Sequence, residues 1–285
     1  MGLPDNEFLG KSETLSILYH DIFDYPLNAK EIIKWRVGKR GLPLFKKTQE
    51  ILNKDGLYFL KGRENLLYKK TLRERISSRK IKIAKKNASL LAKIPTIKGV
   101  FITGALAMKN AEEESDIDLM ILTKRNCLWT TRLATYVVLR IMNYAVRKPN
   151  DENQKNKLCL NIWLDESALS WDKKDRNIYS AHEITQASPI VDKENIYQRF
   201  LQKNRWILDY WPDAVRVNNE LQIMNYAKNP LYVILNSLFL MIEKLAFKLQ
   251  YLYMKPKITR EIVTLHKAIF HPRNWGEAVL RKLSP

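Results

Sequence analysis

The chain has 285 residues, 46% of them hydrophobic and 10% aromatic, with a formal net charge of +19. That length and apolar content fit one large domain or two to three small ones and exclude a disordered chain. Two cysteines, Cys127 and Cys159, lie far apart without metal-type spacing, which excludes a disulfide framework or zinc ribbon and points to reduced thiols in a cytoplasmic protein.

The first ten residues, MGLPDNEFLG, carry no basic-then-apolar leader pattern, and Asn6 stands where a myristoylated Gly2 would want Ser or Thr. Residues 11 to 23 predict a helix, with Ser12 as N-cap and Leu15, Leu18 and Ile22 on one face. Asn28 caps a second helix, AKEIIKWRV. A third, LFKKTQEILNKDG, turns Leu44, Thr48, Ile51 and Leu52 inward and ends at Gly56. LYFLKGRENLLYKK then predicts two short strands around a Gly62 turn. Three helices and a hairpin give the winged-helix order over residues 1–70. In a DNA reader of that kind the third helix enters the major groove, here with Lys46, Lys47, Gln49, Asn53 and Lys54, and the wing carries Arg63.

Residues 71–94 predict a long basic linker helix. Its apolar stripe is Leu72, Ile76, Ile83, Leu90 and Ile94, and Pro95 stops it. Between residues 61 and 98 there are thirteen Lys/Arg against Glu64 and Glu74, whereas residues 1–60 hold nine cations and eight acids. So concentrated a basic segment suits a polyanion such as nucleic acid, because neutralised phosphates release counterions. It suits a solvated helix face equally.

The next stretch, GVFITGALAMKNAEEESDIDLMILTK (residues 99–124), reads as strand, Gly turn, short helix, acidic turn and second strand. Side chains alternate along a strand, so Asp116 and Asp118 share one face while Ile117, Leu119 and Ile121 share the other. Two carboxylates side by side repel by about 4 kcal/mol at 4 Å and an effective dielectric near 20. A cation between them removes that cost. Oxygen-only donors on a rigid strand suit Mg²⁺ rather than zinc.

Gly104-Ala105, ten residues, then Asp116-Ile117-Asp118 between apolar strands resembles the DNA polymerase β-like nucleotidyltransferase superfamily. The whole layout looks like a prokaryotic subgroup of it with an N-terminal winged helix. The resemblance implies that Asp116 and Asp118 are catalytic and bind Mg²⁺ or Mn²⁺, and that a nucleoside triphosphate is the substrate. Gly104 and Ala105 would then offer backbone N–H groups to its phosphates. The family usually has Ser or Gly where Ala105 stands; Thr103 or Ser115 offers a hydroxyl instead. Superfamily enzymes commonly take a third carboxylate from the strand beside D-x-D. In LCLNIWLDES, alternation puts Cys159, Asn161, Trp163 and Asp165 on one face. Either Asn161 or Asp165 completes the metal shell.

LWTTRLATYVVLRIMNYAVRK predicts a helix with Leu128, Leu133, Tyr136, Val137, Leu139, Ile141 and Tyr144 apolar; Arg132 and Arg140 either face the phosphates or, the plainer reading, are exposed. DRNIYSAHEITQASPI predicts a helix covering the sheet through Ile178, Ala181 and Ile184; Gln186 four residues after His182 breaks the zinc-protease pattern. Residues 230–254 form a long apolar helix, a candidate dimer face but too short in its apolar run to span a bilayer. The expected architecture is therefore α+β: a winged helix at 1–70, a linker helix at 71–94, a small mixed-sheet nucleotidyltransferase core at 95–190, and an α-helical C-terminal domain at 191–285. The expected activity is transfer of a nucleoside monophosphate from a triphosphate to an acceptor such as a protein, an RNA or a small molecule. The alternative is a weak or inactive nucleotidyltransferase fold serving as a nucleic-acid- or protein-binding regulatory module.

Overall fold

The computed structural model describes residues 9–42, 50–148, 151–218, 230–270 and 275–283, with side chains from residue 239 onward in the helix that begins at Pro230. In chain order the elements are α1 (Lys11–Asp21), β1 (Leu27–Asn28), α2 (Ala29–Lys34), β2 (Ile51–Lys54), β3 (Leu57–Leu60) and α3 (Asn65–Leu91). Then come β4 (Ile97–Ile102), α4 (Gly104–Ala107), β5 (Ile117–Thr123), α5 (Leu128–Ile141), β6 (Leu158–Asp165), α6 (Ile178–Gln186) and β7 (Ser188–Asp192). The chain continues through α7 (Ile196–Lys203), α8 (Pro230–Met254), β8 (Ile262–Val263), β9 (Lys267–Ile269) and α9 (Trp275–Leu283). The fold is mixed α+β.

The N-terminal elements follow local chemistry. Asn28 caps α2 with a full capping box: its side chain accepts from Glu31 N–H while the Glu31 carboxylate accepts from Asn28 N–H. Ser12 is not the cap of α1, whose N-cap is Gly10; the Ser12 hydroxyl donates to the carbonyl of Val37 instead. The expected third helix is not a helix over Ile51–Lys54, which is strand β2 paired antiparallel with β3; its first part, residues 43–49, lies outside the described residues. The hairpin turn is Asp55-Gly56, both at positive φ (54° and 73°), the two-residue loop that matches strand twist. Gly62 therefore does not turn a hairpin, and LLYKK opens α3 rather than forming a strand. The small sheet has the order β1-β3-β2.

The main sheet has the order β7-β4-β5-β6-β9-β8, with β5 and β6 parallel and the other pairs antiparallel. One face buries Phe101, Met120, Leu122, Ile162 and Leu164 against Ile17, Trp35, Ile178 and Phe200 of the N-terminal elements, α6 and α7. The other buries Val100, Leu119, Ile121, Leu160 and Trp163 against Ala84 and Leu91 of α3, Trp129 of α5 and Met254 of α8. One expectation changes here: the segment after residue 191 is not all helical, because β8 and β9 extend the sheet beside β6. Tyr58 and Leu60 of the N-terminal sheet share a core with the main sheet.

α3 starts six residues before its expected beginning, and its buried face coincides with the apolar stripe only in part: Ile76 is buried and Ile83 packs against the core. Leu72 is 42% exposed, while Lys70, Arg73 and Lys80 are buried. Lys70 Nζ bonds Glu31 Oε2 (2.7 Å) and the carbonyl of Pro26 (3.0 Å), and Arg73 pairs with Glu112 and Asn110. Lys80 donates to the carbonyls of Glu113 (3.0 Å) and Ser115 (2.7 Å) and to Asn156 Oδ1 (3.0 Å), using all three ammonium protons. A buried cation is tolerated when fully hydrogen-bonded in this way. Part of the basic segment is therefore structural cement, and its exposed cations are Lys61, Arg75, Arg79, Lys82, Lys85, Lys86 and Lys93.

At the other end of the sheet, Cys127 gives α5 no side-chain cap. Glu243 of α8 takes that place, accepting from the N–H groups of Trp129 (2.5 Å) and Thr130 (3.0 Å) and from the Thr130 hydroxyl (2.8 Å). Leu133, Val137 and Ile141 of the apolar α5 surface are exposed, as are Leu245, Leu249 and Leu252 of α8, the helix that packs against α5. Arg132 is not exposed as expected; it stacks over Tyr136 and Phe270 and bonds Gln250. Among the described residues no helix is long and apolar enough to cross a membrane.

His20 and His182 meet between α1 and α6, ring nitrogen to ring nitrogen at 3.2 Å, enclosed by Tyr19, Trp35 and Trp211. Burial lowers His20 to about 4, and His182 lies well below its ordinary value for the same reason, with His20 second. Both stay neutral in the folded chain at pH values where an unfolded chain takes up protons, so this pair costs stability as pH falls below about 6.5. An imidazole NMR titration tests this. Two of the four histidines are expected to show no protonation between pH 7 and 5.5, and all four titrating near 6.5 contradicts the packing.

Candidate metal centre

β5 begins at Ile117, so Asp118 is its second residue and Asp116 stands just before it. Ile117, Leu119 and Ile121 enter one core while Met120 and Leu122 enter the other. The alternation expected for β5 holds, and the two acids emerge on the Met120 face. Their neighbours come from four other segments.

β6 lies parallel to β5 with Asp118 opposite Cys159 and Leu119 opposite Leu160; the next pair is Met120 with Ile162. Asn161 is the extra residue of a bulge, which shifts the alternation downstream of it. Cys159 and Asn161 stay on the acid face, but Trp163 joins Leu158 and Leu160 in the opposite core. Asp165 moves with Trp163. It pairs with Thr123, five residues along β5 from Asp118, or about 16 Å at 3.3 Å per residue. Fully buried there, it accepts from Asn126 N–H (3.0 Å), Ser167 N–H (2.8 Å) and His266 Nδ1 (2.7 Å). Asp165 is therefore a structural acid remote from the pair, and the neighbouring strand offers Asn161.

Asn161 Nδ2 donates to Asp118 Oδ1 at 2.7 Å, while Asn161 Oδ1 is buried with no hydrogen-bond partner. An orphaned buried carbonyl is costly, on the order of 1–3 kcal/mol. Rotating the amide would aim that oxygen at Asp118, an arrangement that repels unless a cation lies between. On the other side, Arg147 Nη1 pairs with Asp116 Oδ2 at 2.7 Å and approaches Cys159 Sγ at 3.6 Å. One ligand atom each from Asp116, Asp118 and Cys159 lies within 4.8 Å of the other two; among the described residues this is the one such group of His, Cys, Asp and Glu.

Gly104 follows β4 at φ +61°, and Thr103 N–H donates to the Asp118 carbonyl at 3.1 Å. A Cβ on Gly104 would stand 2.7 Å from Asp118 Oδ2, so glycine keeps the carboxylate's surroundings open. Ala105 is the next residue of α4, a single turn. Ser115 does not point its hydroxyl at the acids; it donates to the Glu112 carbonyl at 2.8 Å.

Glu183 is a group that sequence reasoning passed over, having weighed it only as part of a zinc-protease pattern. α6 packs against α4 and carries Tyr179 and Glu183 one turn apart, on one face. Burial first raises the pKa of both, and the Asp118 charge adds to it. Burial first, and Asp118 second, push the Glu183 carboxyl up to about 8, with Gln186 as its hydrogen-bond partner. Asp118 itself is pushed up to about 7 by burial and then by Asp116. Two half-buried carboxylates, one holding a proton near neutrality, an orphaned amide oxygen and a glycine clearing are the donor set that a divalent cation fits.

Gly104→Ala would place a side chain at positive φ against Asp118. It is expected to destabilise the fold by roughly 1–3 kcal/mol, read by urea unfolding; unchanged stability contradicts the close approach. Compared with protein-family models, with curated proteins and with solved structures, the chain matches none.

Proposed function

We propose that the chain is a metal-dependent nucleotidyltransferase of the polymerase β-like kind, moving a nucleoside monophosphate from a triphosphate to an acceptor. The observation that carries this reading is the apposition of Asp116 and Asp118 beside Gly104, with Asn161 Oδ1 buried and unpartnered next to them. The helix–strand–helix–hairpin order and the β1-β3-β2 pairing support a winged helix at the N-terminus. The mixed sheet around β4, β5 and β6 supports a minimal nucleotidyltransferase core.

In this reading Asp116, Asp118 and the carbonyl oxygen of Asn161 hold Mg²⁺ or Mn²⁺. The ion would supply charge neutralisation for the triphosphate and activation of the acceptor oxygen. The backbone N–H groups of Gly104 and Ala105 face the phosphates, a role that needs no hydroxyl at position 105. Glu183, on the α6 side and within electrostatic reach of Asp118, is the group that would take the acceptor's proton, replacing the carboxylate that β6 does not provide. Arg147, paired with Asp116 Oδ2 and partly exposed, would be within reach of a phosphate oxygen were its carboxylate partner taken by a cation. The exposed cations of α3, from Arg75 to Lys86, with Lys93 just beyond it, suit a nucleic-acid partner.

A second reading, a weak or inactive fold serving as a regulatory module, is favoured by one observation: Arg147 already neutralises Asp116. Titration with each nucleoside triphosphate, with and without Mg²⁺, separates the two. Mg²⁺-dependent binding is expected, with transfer falling by at least about 100-fold in Asp116→Ala and Asp118→Ala. Binding without transfer selects the regulatory reading. No binding, or variants that bind and transfer like the native chain, overturns the nucleotide site altogether.

A further inference from the structure

We propose that Cys159 is a metal donor, and that Asp116, Asp118, Cys159 and Asn161 together form a closed site for a thiophilic divalent ion, Zn²⁺ by preference, that excludes the triphosphate. This rests on the reading of the Asp pair as a cation site and adds which class of ion shuts it down.

The sequence pointed to oxygen donors alone. Parallel pairing of β5 with β6 sets Cys159 directly opposite Asp118, and the bulge at Asn161 begins only beyond it, so the thiol stays on the acid face. Its sulfur lies within 4.8 Å of a carboxylate oxygen of each acid. Independently of that cluster, Asn161 is 7% exposed, bonds Asp118 through Nδ2, and leaves Oδ1 buried without a partner. Among the described residues no donor uses that oxygen. A cation beside Asp118 does.

Mg²⁺ is hard and octahedral, gives up water reluctantly, and has no affinity for a thiol. It would take the oxygens and keep positions open for phosphate. Zn²⁺ and Cd²⁺ accept thiolate readily. For these ions the chain offers two carboxylates, one thiolate and one amide oxygen. Four protein donors complete a tetrahedral shell, the pattern of closed rather than catalytic zinc sites. The balance is one S–H bond broken and one metal–sulfur bond formed: Cys–SH + M²⁺ gives Cys–S–M⁺ + H⁺, the proton leaving to solvent. Arg147 Nη1, now shared between Asp116 and Cys159, must swing out in the same step. With its side chain 35% exposed, it has solvent to move into.

The test uses Cd²⁺ as the probe on the full chain and reads the ultraviolet thiolate-to-cadmium charge-transfer band, with proton release followed by an indicator dye. One band-bearing Cd²⁺ per chain is expected, with one proton more released than in Cys159→Ser and the band kept in Cys127→Ser. In Cys159→Ser, or Cys159→Ala should the first fold poorly, the band and that additional proton disappear. Cd²⁺ affinity falls by at least about tenfold, since even an outer-shell partner is worth about 10–100-fold. Mg²⁺ binding in that variant stays within about twofold of the native chain. A band that survives Cys159→Ser, or no band in a native chain that binds Mg²⁺, overturns this proposal and leaves the nucleotidyltransferase reading standing. A native chain that binds neither ion overturns both.

Discussion

The parallel pairing of β5 with β6 is the constraint on which the candidate site depends. It brings Cys159 to Asp118, sets Asn161 within 2.7 Å of the same carboxylate, and fixes where the bulge interrupts alternation. Everything downstream of the bulge answers to a different neighbourhood. Asp165, which would otherwise be a plausible third ligand, ends on the far side holding Asn126, Ser167 and His266 together. β4 adds Gly104 from the other flank of β5, where any side chain would meet the Asp118 carboxylate. β4, β5 and β6 thus gather four polar side chains, those of Asp116, Asp118, Cys159 and Asn161, beside Gly104, and α6 carries Glu183 into the electrostatic reach of Asp118.

Charge is handled by the same economy of placement. The basic character of residues 61 to 98 reads as a surface property, yet three of its cations are interior. Lys80 threads from α3 to the carbonyls of Glu113 and Ser115 and so braces the acidic turn immediately before Asp116. Arg73 reaches Glu112 in that turn, and Arg79 pairs with Glu113. The turn that delivers the two acids is therefore anchored from outside by α3. Arg147 balances Asp116 from inside. The acids are held apposed by cations that either brace the backbone or wait to be displaced, and an apposed acid pair with a replaceable counter-ion is the arrangement a metal site needs.

What was legible in the sequence was periodic. The alternation of Ile117, Leu119 and Ile121 gave the faces of β5, the Asn28 capping signal gave α2, and Ile178, Ala181 and Ile184 gave the inward face of α6. The α+β class followed from these. What was not legible was set by pairing rather than by period. A one-residue bulge leaves no mark in LCLNIWLDES, so Trp163 and Asp165 seemed to share a face with Asn161. Asp55-Gly56 and Gly62 are both plausible turns, and the former won because two successive positive-φ residues suit a tight hairpin. The buried face of α3 broke the apolar rule because Lys70, Arg73 and Lys80 found acceptors far away in sequence. Glu183 was hidden for a similar reason: its relation to Asp118 is made by α6 folding over α4, across 65 residues of chain.

The central claim is that the Asp116–Asp118 pair is a cation site completed by Asn161. The most direct measurement is the electron paramagnetic resonance of free Mn²⁺ titrated with the protein, because it needs neither nucleotide nor acceptor. The account predicts loss of the free-ion signal to one Mn²⁺ per chain, abolished in Asp118→Asn and weakened in Asn161→Ala. A free-ion signal undiminished by the native protein, or uptake equal in native chain and Asp118→Asn, would contradict it.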